Sequence, residues 1–573
     1  MSKIVIIGGV AGGATAAARL RRLDEAADII MFERGEDISF ANCGLPYYIG
    51  GVIEDRDDLL LQTPDSFKSR FNIDVRALHE VISINRVEKT VTVKNLRTDE
   101  VYLEDYDKLV LSPGGAPIKP PIEGINSERV FTLRNVADVD RIHAFIKKYR
   151  PKRAAIAGGG FIGLEMAENL AQAGLDVSVI ELLDQVIPPV DPDVACDVHN
   201  YLRSCGISLY LKNGLKRITE DAQDTQDAQD AQDAQDTQDA QDAQAGGLSI
   251  ELERNTISAD MLIMSIGVKP ESGLARSAGL DVNERGGIIV NTRMQTSDPD
   301  IYALGDAAET VDYVSGQPAM IPLAGPANKQ GRIVADNICG IPSEYSGTQG
   351  SAVIKIFDMT IAFTGINEKT AKRLGLDYDK VFLWLPSHAG YYPGATFMSM
   401  KVIFDKESGK ILGAQIAGFE GVDKRCDVFA VAIRAGMTAN DLCRLELCYA
   451  PPYSSAKDPV NMAGYVIENT LSGKVKNFHW NEVDSLPRDG SVTLLDVRSP
   501  REFSAGHIDG FINIPLDELR GRIGELDKNK RVYVHCHSGL RSYNAARILS
   551  QNGFDVYNLS GGYRLYIAAT AAN

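Results

Sequence analysis

A single pattern that occurs twice constrains this chain most. Ile4–Ile7 is a short apolar run that leads into Gly8-Gly9-Val10-Ala11-Gly12-Gly13. An alanine-rich helical stretch to Arg22 follows, then a second apolar run, Ile29–Phe32, that ends at Glu33. The same order returns at Arg153–Ala157, Gly158-Gly159-Gly160-Phe161-Ile162-Gly163, Leu164–Ala173 and Val177–Ile180, which ends at Glu181. Each reads as a strand–helix–strand unit with an acid closing the second strand. Glycines let the backbone approach a pyrophosphate, and the helix N-terminus offers free N–H groups and a positive dipole. One glycine-rich turn can be mere tight packing. Two complete units, each with its acid, predict two dinucleotide sites. In the first, Val10 stands where the middle glycine usually lies, so context carries the reading there. Glu33 and Glu181 are placed to accept from ribose hydroxyls. An acid at Glu181 repels a 2′-phosphate, which favours NADH over NADPH at the second site.

The chain has 573 residues, too many for one core, and three or four domains are expected. The start has no basic leader region, and no apolar run approaches the ~20 residues a membrane helix needs, so a cytoplasmic protein is expected. Eight cysteines without dense spacing fit a reducing compartment. No metal is expected. The net charge of −17 argues against nucleic acid, although eight of the acids lie in one repeat. That repeat, 221–244, is a run of Asp-Ala-Gln and Asp-Thr-Gln tripeptides between the strand-like Leu215–Ile218 and Leu248–Leu252. Such polar sequence cannot bury a core and reads as a disordered hairpin tip. It is either a docking or solubility arm or a repeat expansion tolerated in a surface loop.

Two solitary cysteines stand out. Cys43 lies in Ser39-Phe40-Ala41-Asn42-Cys43-Gly44-Leu45-Pro46-Tyr47-Tyr48, and Cys536 in His535-Cys536-His537-Ser538-Gly539-Leu540-Arg541-Ser542. The nearest cysteine after Cys43 is Cys196, so Cys43 belongs to no pair. Cys443 and Cys448 have pair-like spacing but no nucleotide unit around them, and read as core cysteines.

With Ile263–Pro270 and Thr296–Asp306 added, the first ~470 residues resemble the two-nucleotide flavoprotein disulfide reductases. The Cys43 segment is similar to the single-cysteine branch, which holds coenzyme A disulfide reductases, NADH oxidases and NADH peroxidases. The resemblance implies FAD in the first unit and NADH in the inserted second one. It implies cofactor contacts from Gly8, Gly9, Ala11, Gly12, Gly13, Glu33, Arg34, Gly158, Gly160, Ile162, Gly163, Glu181, Gly267 and Asp306, with Asp306 on the flavin's ribityl chain. Cys43 is then a thiolate favoured by a helix N-terminus and the flavin environment. It takes up a thiol as a mixed disulfide or, in an oxidase or peroxidase, cycles through sulfenic acid.

The same resemblance implies a coenzyme A site. Thr15, Arg19 and Arg22 share roughly one helix face, and arginine suits phosphate. Ser39, Asn42 and Lys457 match further contacts. Where the family can carry a histidine after Pro322-Leu323-Ala324, this chain has Asn328. Tyr391 and Tyr449 match tyrosines that the family supplies from a partner subunit, where a phenol can protonate a leaving thiolate. A homodimer is therefore expected.

The final ~90 residues resemble a rhodanese domain. The carriers are Asp496-Val497-Arg498-Ser499-Pro500-Arg501-Glu502-Phe503, Gly506-His507-Ile508-Asp509-Gly510-Phe511-Ile512-Asn513-Ile514-Pro515, and the Cys536–Arg541 loop. Backbone N–H groups of such a loop converge on the sulfur and stabilise a persulfide. The loop is one residue shorter than the cradle of the cysteine phosphatases, which favours sulfur over phosphate. Cys536 and Arg541 are the expected catalytic pair.

The expected fold class is α/β. Residues 1–120 and 266–330 form a Rossmann-like FAD domain, and 121–265 a Rossmann-like NADH domain. Residues 331–472 form an α+β dimerisation domain, a polar stretch from Gly473 to Asp489 a linker and domain start, and 485–573 an α/β rhodanese domain. The whole is similar to a coenzyme A disulfide reductase fused to a rhodanese, a type described as NADH-dependent persulfide or polysulfide reductases. In that scheme Cys536 accepts sulfane sulfur, coenzyme A carries it, and Cys43 releases hydrogen sulfide. A plain coenzyme A disulfide reductase, an NADH oxidase or peroxidase, and a non-enzymatic sulfur sensor are the alternatives.

Overall fold

The computed structural model describes residues 2–220 and 247–571. The Asp-Ala-Gln repeat lies outside the described residues. The described chain divides into two compact units: residues 2–183 with 206–220 and 247–348, and residues 184–205 with 349–571.

The first unit contains two five-stranded parallel sheets of like design. One runs in the order Ile301–Ala303, Lys108–Leu111, Lys3–Ile7, Asp28–Glu33, Asp74–Ala77. The other runs Ser208–Tyr210, Asp176–Ile180, Arg153–Ala157, Met261–Met264, Val130–Thr132. Their central strands are buried on both faces and so are continuously apolar, as parallel strands under helices must be. Ile301–Ala303 pairs into the first sheet, so the chain leaves that sheet, builds the second, and returns.

Both glycine loops make the same tight turn. Gly8 and Gly158 have φ +99° and +111°, where only glycine is unstrained. A Cβ on Gly13 would lie 1.9 Å from the Gly8 carbonyl oxygen, and one on Gly163 would lie 2.0 Å from that of Gly158. The third glycine of each loop thus lets the helix pack onto the turn. Val10 has φ −97°, which any residue adopts, and this is why valine is tolerated there. Leu215–Glu220 and Leu248–Leu252, both read as strands, pair antiparallel.

The second unit joins an antiparallel sheet to a parallel one. The antiparallel order is Ala352–Ile356, Met359–Gly365, Ile411–Gly418, Phe397–Asp405, Tyr378–Pro386, with the helices Val422–Arg434 and Pro459–Leu471. The parallel order is Lys476–Phe478, Val556–Leu559, Val532–His535, Thr493–Asp496, Ile512–Asn513. The polar stretch after Gly473 is therefore not a free linker: Lys476–Phe478 is an edge strand and Trp480–Ser485 a 3₁₀ turn. Its alternation hid a strand whose Phe478 alone is buried.

A charged node ties residues 184–205 to the antiparallel sheet. Lys401 is 0% exposed and contacts Asp191, Asp193 and Glu368 at 3.0, 2.9 and 2.8 Å. Burial alone would discharge this lysine, but the three carboxylates hold its pKa raised. No helix among the described residues is long and apolar enough to cross a membrane.

Candidate active sites

Cys43 is exposed on a 3₁₀ turn, Asn42–Gly44, that runs into the short helix Leu45–Ile49 with Pro46 in its first turn. Ser39 anchors the segment, because its N–H donates to the Gly9 carbonyl at 2.8 Å. The Cys43 segment and the first glycine loop are thus built as one piece. The short helix packs on the helix Phe161–Gln172 of the second nucleotide fold. A Cβ on Gly50 would meet Asn169 Oδ1 at 2.1 Å, so glycine permits that approach.

The charges around Cys43 run against the sequence expectation of a favoured thiolate. Although the residue is exposed on its turn, desolvation by the atoms packed around the thiol pushes its pKa up, and the carboxylates of Glu165 and Asp306 push it further. A five-residue helix supplies too little dipole to offset two carboxylates. Glu165 is itself raised to about 7 by burial and by Glu168. Tyr47 is raised to about 12 by burial, Glu165 and Glu168. Sequence reading missed Glu165 and Asn169. The available signal was the polar group Glu165, Glu168 and Asn169 inside an otherwise apolar helix, where Glu168 and Asn169 are buried.

The two nucleotide helices have the ends an anion needs. Neither Ala11–Leu23 nor Phe161–Gln172 has a side-chain cap or an acid in its first turn. Their leading N–H groups stay available for a pyrophosphate. Ala11, Gly12 and Gly13 open the first helix, and Ile162 and Gly163 lie in the first turn of the second, capped by Gly160. Glu33 accepts from the N–H of Gly9 at 2.9 Å and of Gly35 at 2.8 Å. Glu181 accepts from Gly159 at 2.7 Å and Leu183 at 2.8 Å. The terminal acids therefore brace the loops as well as flank them. Gly267 has φ +127°. Asp306 sits in a 3₁₀ turn at the end of the returning strand, its pKa raised by burial. These residues fit FAD and NADH. Arg34 is committed to Glu271, with N···O distances of 2.7 and 2.6 Å.

The residues expected to meet coenzyme A are partly assembled. Gly331 lets the helix Ala324–Ile338 lie on Ala11–Leu23, since its Cβ would sit 2.7 Å from the Gly12 carbonyl. Thr15 donates to Asn328 Oδ1 at 2.5 Å, and Arg19 pairs with Asp336 at 2.9 Å. Arg22, Asn42 and Lys457 are exposed, and Ser39 is half-buried. In the second unit, Tyr391 and Tyr449 share a hydroxyl–hydroxyl hydrogen bond of 2.8 Å on an exposed surface. Cys448 beside them is exposed and Cys443 half-buried, so neither is a core cysteine.

Cys536 is built differently. It follows the strand Val532–His535 and precedes Gly539, the φ +105° residue that starts the helix Leu540–Gln551. Its Sγ accepts from the Gly539 N–H at 3.1 Å and from Ser542 Oγ at 3.3 Å. It is 1% exposed. Arg541 forms a two-pronged pair with Glu502 at 2.7 and 2.6 Å, which holds that carboxyl well below the usual range. Asp496 grips Arg498 in a buried pair, and Arg498 lies 3.9 Å over the Tyr563 ring. The Asp-Val-Arg signature is thus a structural clamp behind the loop. Sequence reading missed Glu502 as the partner of Arg541, and Ser542 as a donor to the sulfur.

Two linked dinucleotide folds with an isolated cysteine beside the first glycine loop define a two-nucleotide flavoprotein oxidoreductase. The family described as pyridine nucleotide-disulphide oxidoreductase matches residues 2–331, and its dimerisation domain matches 351–459. A rhodanese-like domain matches 479–569. The chain belongs to the pyridine nucleotide-disulphide oxidoreductase family and carries a C-terminal rhodanese domain. It is 38% identical to a coenzyme A disulfide reductase of Staphylococcus haemolyticus over 81% of this chain and 99% of that one. It is similar to the crystal structure of reduced CoADR-RHD of Bacillus anthracis, with TM-score 0.93 and 50% identity over 100% of this chain and 98% of that one. It also matches an NAD-dependent persulfide reductase from A. fulgidus, with TM-score 0.88 and 38% identity over 98% and 100%.

Proposed function

We propose that this chain uses NADH to reduce coenzyme A persulfide or disulfide, or polysulfide, at Cys43, with Cys536 accepting and relaying sulfane sulfur. The observation that carries this reading is the second thiol: Cys536 Sγ is held by two hydrogen-bond donors inside a rhodanese fold that continues a disulfide-reductase chain. The relatives' names put coenzyme A on the substrate side, as the disulfide reduced, which makes it substrate and carrier rather than a cofactor.

The steps balance. The Cys536 thiolate attacks the outer sulfur of a persulfide RSSH; the donor's S–S bond breaks, RSH leaves, and Cys536 carries the sulfur. Coenzyme A takes that outer sulfur as its own persulfide, restoring Cys536. Cys43 then attacks the inner sulfur, forms a mixed disulfide with coenzyme A, and expels hydrogen sulfide. FAD, when bound, passes the two electrons of NADH to a sulfur–sulfur bond beside it. Cleavage of the mixed disulfide returns Cys43 and coenzyme A as thiols. The net change is RSSH + NADH + H⁺ → RSH + H₂S + NAD⁺.

The chain's own residues supply the rest. Glu165, with a pKa near 7, is placed to hold or yield a proton close to Cys43. Thr15, Asn328 and Arg19, with Arg22, Ser39, Asn42 and Lys457, are proposed to bind coenzyme A. Tyr391 and Tyr449 are proposed to serve a partner's Cys43 in a homodimer. The test is anaerobic NADH oxidation with coenzyme A persulfide and with polysulfide, comparing wild type, Cys43→Ser and Cys536→Ser. Cys43→Ser should be inactive with both, and Cys536→Ser should fail with polysulfide only. Turnover with oxygen or peroxide but not persulfide would replace this reading with an oxidase.

A further inference from the structure

The Cys536 loop does not stand alone in its fold. Its two carbonyls, of Cys536 and His537, accept from the N–H groups of Tyr563 and Arg564 at 2.8 and 2.9 Å. The connection Ser560-Gly561-Gly562 lies directly against it. A Cβ on Gly562 would sit 2.6 Å from the His537 carbonyl oxygen and 2.7 Å from that of Cys536. On its other side the connection meets the strand Tyr378–Pro386 of the preceding domain. Phe382 N–H donates to Ser560 Oγ at 3.1 Å, and a Cβ on Gly561 would lie 3.2 Å from the Phe382 Cβ. The Gly561–Gly562 connection is thus sandwiched between that strand and the sulfur loop.

Two residues further along the strand, Trp384 reaches the loop itself. Its ring stands edge-on to the His537 ring, with centroids 5.4 Å apart and planes at 73°. Phe397 stacks on Trp384 at 4.0 Å and 16°, which fixes the indole from its own sheet. The Arg564 guanidinium lies 5.4 Å from the Trp384 ring and is anchored to Asp197 at 2.7 Å. His537 follows the nucleophile directly, so a ring that holds His537 also holds the backbone whose Gly539 N–H faces Sγ. A loop that presents N–H groups to an anionic sulfur works only while those groups stay aimed.

We propose that the sulfur site is a two-domain site in which Trp384 is a positioning residue for the Cys536 loop, acting through His537 and Arg564. The inference rests on the reading of Cys536 as a sulfur acceptor. Its chemistry is the first step above: the outer sulfur of a persulfide moves to Sγ, the donor's S–S bond breaks, and the donor leaves as a thiol. Trp384 touches none of the reacting atoms; it keeps the loop shaped to receive them.

The test uses the FAD-loaded full chain with glutathione persulfide as donor. Sulfur loading of Cys536 is followed by mass spectrometry in wild type, Trp384→Ala, Trp384→Phe and Asp197→Asn. We expect Trp384→Ala to load roughly 10- to 100-fold more slowly, as expected for a misplaced reacting group. Trp384→Phe should recover most of that, and Asp197→Asn should lie between. Coenzyme A disulfide reduction at Cys43 should be unchanged in the three variants. Iodoacetamide gives a readout independent of sulfur transfer. Cys536 is almost fully buried, so Trp384→Ala should speed its alkylation while Cys426, buried elsewhere in the same unit, keeps its wild-type rate. Equal loading and alkylation in wild type and Trp384→Ala would overturn the inference, as would parallel exposure of Cys426. If wild-type Cys536 never takes sulfur but Trp384→Ala still changes its alkylation selectively, the positioning role stands and the relay falls.

Discussion

Cys43 and Cys536 are the same residue prepared in opposite ways. Cys536 is buried, and its own loop aims a backbone N–H and a serine hydroxyl at the sulfur. Cys43 is exposed on a short turn, yet desolvation of its thiol, and then the carboxylates of Glu165 and Asp306, push its pKa up. The surroundings of a thiol can thus be made by its own loop, as at Cys536, or by residues distant in sequence, as at Cys43. The rhodanese loop carries its anion-stabilising groups within a few residues of sequence. The Cys43 turn is anchored to the first glycine loop through Ser39, and its charged neighbours Glu165 and Asp306 come from distant sequence.

Removing each thiol in turn should separate their roles outright. Cys43→Ser should reduce NADH oxidation with coenzyme A disulfide to background, and Cys536→Ser should leave it intact; steady-state absorbance under anaerobic conditions measures both. Next comes the acid beside Cys43. Glu165 has its pKa raised to about 7 in the folded protein, so its stabilising share is complete below the ordinary carboxylate range and is lost as pH rises through 7. Glu165→Gln should therefore be more stable than wild type by about 2 kcal/mol at pH 8 and no more stable near pH 4, read by urea unfolding. The same change removes a charge that raises Cys43, so Cys43 alkylation should begin at lower pH.

A smaller effect is expected at the other thiol. Ser542→Ala removes one of the two donors on Cys536 Sγ and should slow sulfur loading by a factor corresponding to about 1 kcal/mol, with no change at Cys43. Smallest is Asp336→Asn, which frees Arg19 from its ion pair. Coenzyme A affinity should rise a few-fold, about 0.5 kcal/mol, in isothermal titration, and more at low salt than at high salt.

What could be read from sequence follows the same division. The glycine loops were legible because their geometry is local: Gly8, Gly13, Gly158 and Gly163 are demanded by turns and close approaches a few residues away. The rhodanese loop was legible for the same reason. Hidden were the groups that reach a site from distant sequence. Glu165 and Asn169 lie more than a hundred residues from Cys43. Glu502 meets Arg541 across the rhodanese fold, and Trp384 meets His537 from another domain. The Lys401 node was invisible because a buried lysine reads in sequence like any surface charge until its three carboxylates are placed. Lys476–Phe478 was misread as linker because a short edge strand with one buried residue has no clear period.

In the proposed relay, coenzyme A carries sulfur from Cys536 to the Cys43 site, where it leaves as hydrogen sulfide. The most direct measurement is a single turnover: load Cys536 with sulfur from glutathione persulfide without oxygen, remove the donor, and add NADH with or without coenzyme A. Close to one equivalent of sulfide per loaded Cys536 is expected with coenzyme A and almost none without it. Sulfide released equally in both arms, or in neither, would contradict the relay.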